Sequence, residues 1–141
     1  MAEFLYNKAA ASRRLAGLEA RSCGLAAERY FPIPSGVKKA LGARGVAEVA
    51  HTAQLVTRDL QRWADAVFPM TRGHRDALWD AFPEFRDKTR LFLEAAGESD
   101  GDVDDPIGQP DAVYERCCAL IEKGVEGILR RHADTTARPR P

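Results

Sequence analysis

An acidic stretch at residues 98–108 carries the groups with the clearest chemical potential in this chain of 141 residues. It reads Glu-Ser-Asp-Gly-Asp-Val-Asp-Asp-Pro-Ile-Gly, and repulsion between its carboxylates predicts a loop. Asp105 precedes Pro106, whose ring excludes helical backbone for its predecessor and holds Asp105 extended. A carboxylate fixed at a loop tip suits a general acid, although Asp-Pro-x-Gly is also a common turn.

The same stretch has part of a calcium-binding spacing, because Asp100, Asp102 and Asp104 alternate. An EF-hand loop also needs glycine at its sixth position and glutamate at its twelfth. This sequence has Asp105 and Asp111 there. We therefore expect no metal site in this loop.

Three cysteines are candidate nucleophiles, and the sequence argues against each of them. Cys23 and Arg29 have the Cys-x5-Arg spacing of a thiol phosphatase loop, but Glu28 would place a carboxylate against the phosphate. Cys117 and Cys118 lie inside a predicted helix with no arginine at the required distance. All three are predicted to be packing residues, so the chain is expected to contain no nucleophile.

The elements that would position these residues alternate between helix and strand. Strands are predicted at 18–23, 66–68 and 89–93, which favours an α/β domain with a parallel sheet. Ligands of such sheets bind beyond the carboxyl ends of the strands. Apolar spacing and capping residues predict helices over 1–15 and from Ser35, Thr57, Thr71 and Asp111.

Composition limits the classes of partner and compartment. The 21 basic and 21 acidic residues cancel, which argues against a nucleic-acid or membrane-surface protein. No apolar run approaches the length of a membrane span, and an early acid, Glu3, argues against a signal peptide. Few cysteines predict a reducing, cytoplasmic location. We expect one domain over 1–132 and a frayed tail over 133–141.

Several short motifs follow one another in a recognisable order. They are Met1-Ala2-Glu3, Arg21-Ser22-Cys23-Gly24, Gly45-Val46 with His51, Val67 to Thr71 with His74, Gly101 to Gly108, and a last helix from Asp111. This ordered set resembles the low-molecular-weight protein phosphatase family over nearly all of residues 1–131. The Gly-Asp-Val-x-Asp-Pro-x-Gly form is similar to bacterial members that act on phosphotyrosine or phosphoarginine in proteins.

The resemblance implies a three-layer, doubly wound parallel sheet and a reaction through a phosphocysteine intermediate. It implies that Asp105 is the general acid and base, and that Ser22 and His51 support the phosphate-binding loop. Ile107 matches the residue that flanks the substrate side chain. The implied partners are a phosphorylated protein and inorganic phosphate, and no cofactor is implied.

The sequence departs from the family at its first residue. In the family, a strand and a Cys-x5-Arg-Ser-Pro loop precede the Met-Ala-Glu helix. The resemblance therefore implies that the first, central strand is missing between the strands ending at Ser22 and Phe68, and that the chain as written is inactive. The Met could be internal to a longer protein, or the chain could be a truncated relative.

Two other functions stay open. One is a degenerate, non-catalytic interaction module. The other is an arsenate reductase, which is disfavoured because no cysteine that could resolve an intermediate occurs between Cys23 and Cys117.

Overall fold

A computed structural model describes residues 1–27, 30–98 and 101–137, and helices dominate this part of the chain. The α-helices are α1 (Ala2–Ser12), α2 (Ser35–Gly42), α3 (Arg58–Trp63), α4 (Arg72–Ala81), α5 (Phe92–Ala96) and α6 (Asp111–Ala137), and a 3₁₀ helix spans Pro83–Lys88. None of the helices in the described ranges has the length and apolar character needed to cross a membrane.

The core is built around α6, which carries a buried stripe at helical spacing. Cys118, Val125 and Leu129 are almost completely buried on this stripe. Helices α1, α2 and α5 pack against it, so one long helix organises most of the buried apolar surface.

Local capping chemistry places α3 and α4 where the sequence predicted them. The hydroxyl of Thr57 accepts a hydrogen bond from the Leu60 amide at 3.1 Å. Thr71 caps α4 in the same way through the His74 amide, also at 3.1 Å. Each cap satisfies an amide that the first helical turn leaves without a partner.

Extended backbone pairs at two isolated places in the described residues, and both pairings are parallel. In the first, Gly24 pairs with Leu55. In the second, Val67 pairs with Thr89. The parallel direction agrees with the sequence prediction. A continuous sheet is not formed by the residues that the structure describes.

The strand predicted at 89–93 is wrong over most of its length. Only Thr89 pairs, and the chain then enters α5 at Phe92. A short apolar run does not distinguish a buried strand from a buried helix. Helix α5 packs on α6 and ends at Gly97, whose φ of 82° is left-handed.

Helix α6 continues to Ala137 and so includes residues 133–137 of the predicted tail. The residues that lie outside the described ranges are Glu28, Arg29, Ser99, Asp100 and 138–141.

Close approach between α5 and α6 makes Gly127 a sensitive position. A Cβ there would overlap the backbone carbonyl of Ala96. We expect Gly127→Ala to lower the free energy of unfolding by about 1–3 kcal/mol in urea denaturation, because the overlap outweighs the gain in helix propensity. The control is Gly42→Ala, where a Cβ meets nothing within 4 Å. Equal stability of the two variants would contradict this packing.

Candidate functional site

The acidic loop is hydrogen-bonded to the carboxyl end of the extended segment 66–70. The amide of Val103 donates to the Met70 carbonyl at 2.8 Å. The side chain of Val103 is buried in the core. The carboxylate of Asp102 accepts from the Arg72 amide at 3.0 Å, at the start of α4. These bonds fix the loop beyond the carboxyl end of the segment, where the sequence predicted a site.

Asp105 itself is exposed and holds a local turn. One of its carboxylate oxygens accepts from the Ile107 amide at 3.0 Å, while Pro106 between them is buried. The side chain of Ile107 is 67% exposed. Behind the turn, the thiol of Cys117 donates to the Asp104 carbonyl at 3.6 Å. The loop therefore rests on the first turns of α6 and presents Asp105 outward.

Glu3, at the start of α1, brings Ser22 and His51 together. Its Oε2 accepts from the backbone amide of Ser22 at 2.8 Å and from the Ser22 hydroxyl at 2.5 Å. The Nδ1 of His51 lies 3.7 Å from the same oxygen. Ser22 and His51 were predicted to act together, and the structure joins them through one carboxylate that the sequence reasoning did not assign a role.

All three thiols have raised pKa values. Burial is the main cause for Cys23, Cys117 and Cys118, and the carboxylates of Asp104 and Asp105 add to the increase at Cys117. A nucleophilic cysteine needs the opposite shift, because the thiolate is the reactive form. Among the described residues, no group of side chains has the arrangement of a metal site.

A cavity of about 1390 Å³, here called the trench, separates the extended segments 18–25 and 64–70. Glu3 and Ser22 line the trench, whereas His51, Asp105 and Ile107 do not. The structure thus joins Ser22 and His51, while Asp105 contacts neither of them. Apolar and aromatic side chains form much of the trench lining: Tyr6, Leu18, Leu60, Trp63, Val67, Phe68, Phe92, Val125 and Ile128.

One edge of the trench is formed by segment 66–70. The backbone of Val67 bonds to Lys88 and Arg90, at 2.9 and 3.0 Å. Successive residues of extended backbone present their amide and carbonyl groups to opposite sides. The groups of Ala66 and Phe68 therefore point to the side opposite these bonds, and they have no hydrogen-bond partner in the described part of the chain.

On the opposite edge of the trench, residues with bonded backbone groups alternate with residues whose backbone groups are unpaired. The Asn7 amide side chain bonds both backbone groups of Ala20, at 2.8 and 2.9 Å. Gly24 is bonded to residues 54 and 56. The backbone groups of the intervening Arg21 and Cys23 have no partner within the described ranges. Both walls of the trench thus carry unpaired backbone donors and acceptors.

Comparisons with known proteins identify relatives of this chain. The chain is 34% identical over 120 residues to a protein-arginine-phosphatase of Geobacillus stearothermophilus, covering 85% of this chain and 80% of that protein. It is 31% identical to a protein-arginine-phosphatase of Bacillus subtilis, covering 93% and 86%. A solved arginine phosphatase structure from Geobacillus stearothermophilus superposes with a TM-score of 0.85 at 27% identity, over 99% of this chain and 89% of that one.

A tyrosine phosphatase structure from T. tengcongensis superposes equally well, with a TM-score of 0.86 at 27% identity over 92% of this chain and 88% of that one. These structures have the α/β fold of low molecular weight phosphatases. Residues 1–137 match the family described as low molecular weight phosphotyrosine protein phosphatase, and the chain therefore belongs to that family.

Proposed function

We propose that this chain supplies the acid–base residue and the loop-supporting network of a protein phosphatase that works through a phosphocysteine intermediate. The observation that carries the proposal is the placement of two groups of residues. The acidic loop follows segment 66–70, and the Ser22–Glu3–His51 network follows segment 18–21. Gly24 and Val67 each form a parallel bridge, and ligands of parallel sheets bind beyond the carboxyl ends of the strands.

Asp105 is the proposed general acid and base. It protonates the leaving oxygen or nitrogen as the phosphoryl group passes to a cysteine thiolate, and it then takes a proton from the water that attacks phosphocysteine. One carboxylate oxygen holds the turn through Ile107, so the other is free for proton transfer. The proposed source of the thiolate and the arginine clamp is a Cys-x5-Arg-Ser-Pro loop, since burial raises the pKa values of the chain's own thiols and disfavours their thiolates.

The trench is the proposed place of the first, central strand of a three-layer, doubly wound sheet. A single parallel strand would pair with Arg21 and Cys23 on one side and with Ala66 and Phe68 on the other. The parts of the walls that the strand would pair with, residues 18–23 and 66–70, are six and five residues long, so the strand would span about 16–20 Å. Its carboxyl end would deliver the phosphate-binding loop between Ser22 and the acidic loop.

Phosphoarginine is the proposed preferred substrate. The two curated relatives described above are protein-arginine-phosphatases. The loop around Asp105 also carries Asp102 and Asp104, and carboxylates attract the cationic guanidinium of phosphoarginine but not a neutral phenol. Ile107 has no ring to stack on a phosphotyrosine side chain.

The role of Asp105 is tested in a chain extended at its amino end by a strand and a Cys-x5-Arg-Ser-Pro loop. We expect Asp105→Asn to lower kcat about 10²- to 10⁴-fold on a phosphoarginine peptide, because the leaving group loses its proton donor. Phosphate release is the measurement.

The matched control is Asp59→Asn, an exposed aspartate in α3 outside the acidic loop, which should retain most of the activity. Cys23→Ser should also leave the rate unchanged, and the 141-residue chain without the added loop should not turn over. Full activity of Asp105→Asn, or loss of activity in Cys23→Ser, would refute this assignment.

Substrate preference is tested at Ile107 in the same extended protein. We expect a higher kcat/KM for a phosphoarginine peptide than for the matched phosphotyrosine peptide. Ile107→Tyr should shift the ratio towards phosphotyrosine by about tenfold, the effect of one good aromatic contact. Ile107→Val is the control and should not move the ratio. A wild-type preference for phosphotyrosine would contradict the proposed substrate.

A further inference from the structure

Asp102 joins the acidic loop to the first turn of α4. Its carboxylate oxygen Oδ1 accepts a hydrogen bond from the backbone amide of Arg72 at 3.0 Å, and the Arg72 guanidinium lies 3.5 Å from the same oxygen. Arg72 is the first residue of α4, so its amide has no carbonyl partner within the helix. A carboxylate is also favoured at the positive end of a helix. Asp102 therefore caps α4 from outside the helix.

A second cap of α4 comes from the residue just before the helix. The hydroxyl of Thr71 accepts from the His74 amide at 3.1 Å, which satisfies another amide of the first turn. Because Thr71 already caps the helix locally, the bond from Arg72 to Asp102 chiefly couples two segments that lie 30 residues apart in the sequence.

Two adjacent hydrogen bonds attach the acidic loop at this point. The amide of Val103 donates to the Met70 carbonyl at 2.8 Å. One residue earlier, Asp102 accepts from Arg72. A single bond lets a loop pivot about it, whereas two adjacent bonds also restrict its orientation. Asp105 lies three residues after Asp102, so this orientation is passed on to the Asp105 carboxyl group.

Other contacts near Asp105 control its orientation less well. The bond between the Asp105 carboxylate and the Ile107 amide lies inside the turn and moves with it. The thiol of Cys117 reaches the Asp104 carbonyl at 3.6 Å, and a thiol is a weak donor. Asp102 is therefore the side chain that fixes this part of the loop to α4.

We propose that Asp102 is a positioning residue for Asp105, because its bond to the Arg72 amide sets the orientation in which the Asp105 carboxyl group meets the leaving group. This inference rests on the proposed function, which makes Asp105 the general acid and base. Proton transfer needs the two heavy atoms about 2.6–3.2 Å apart, so a displacement of about 1 Å costs much of the rate. Asp102 itself takes no part in the proton transfer.

Removing the bond from either side tests the proposal in the chain extended by a strand and a Cys-x5-Arg-Ser-Pro loop. Asp102→Ala removes the acceptor. Arg72→Pro removes the donor and should leave α4 intact, because proline is favoured at the first position of a helix. Thr71 before it is already extended, with φ of −133° and ψ of 160°, as proline requires. We expect each variant to lower kcat about tenfold on a phosphoarginine peptide.

Three control variants keep the bond and should retain most of kcat. Asp102→Asn keeps an oxygen that can accept from the Arg72 amide. Arg72→Ala keeps the amide and removes only the guanidinium. Asp59→Ala is the matched control, because Asp59 lies in the first turn of α3 and pairs with Arg62 at 3.0 Å, outside the acidic loop.

A double variant separates positioning from a general loss of structure. If Asp102 acts through Asp105, Asp102→Ala should cause no further loss of kcat in a protein that already carries Asp105→Asn. A purely structural role would lower kcat in both backgrounds. An effect confined to KM would assign Asp102 to attraction of the substrate. Either of these two results would overturn the positioning role.

Amide hydrogen exchange in the 141-residue chain tests the attachment without catalysis. We expect the Val103 and Ile107 amides to exchange about fivefold faster in Asp102→Ala and Arg72→Pro than in Asp102→Asn, because the loop has lost one hydrogen bond. Equal exchange in all of these proteins would overturn the inference and leave the role of Asp105 in place. Full kcat in Asp105→Asn would instead overturn the proposed function, and the positioning role with it.

Discussion

The unpaired backbone along both walls of the trench is the constraint on which the rest of the structure depends. Backbone amide and carbonyl groups bond either to other protein groups or to water. Ala66 and Phe68 on one wall, and Arg21 and Cys23 on the other, have no protein partner in the described residues, and Ala66, Arg21 and Cys23 are exposed to solvent. Ser22 belongs to one wall, and the acidic loop is bonded through Val103 to Met70 at the end of the other.

Helix α1 connects the core to this arrangement. Its buried face packs on α6 through Leu5 and Ala10, while Asn7 and Glu3 bond the backbone of Ala20 and Ser22. The helix therefore closes the outer edge of segment 18–23 and leaves its inner edge open to the trench. Because Glu3 also lies against His51, a shift of α1 would move Ser22 and His51 together.

Local features of the fold could be predicted from the sequence, because their causes lie within a few residues. The caps at Thr57 and Thr71 need only a hydroxyl before a helical turn. The turn at Asp105 follows from the proline after it. The apolar run at 89–93 gave the wrong element, because burial against α6 rather than local pattern decided its conformation.

Features that depend on distant contacts could not be predicted in the same way. Glu3 is an ordinary acid in the first turn of a helix until its contacts with Ser22 and His51 are seen. A gap in the sheet was implied only by the family resemblance, and it stays a prediction.

Amide hydrogen exchange measured residue by residue by NMR tests the central claim most directly. In the 141-residue chain, the amides of Ala66 and Phe68 should exchange rapidly, while the Val67 amide, bonded to Lys88, should be protected. Adding the strand and loop at the amino end should protect all three. Strong protection of Ala66 and Phe68 in the 141-residue chain, or no gain in protection on extension, would contradict the account.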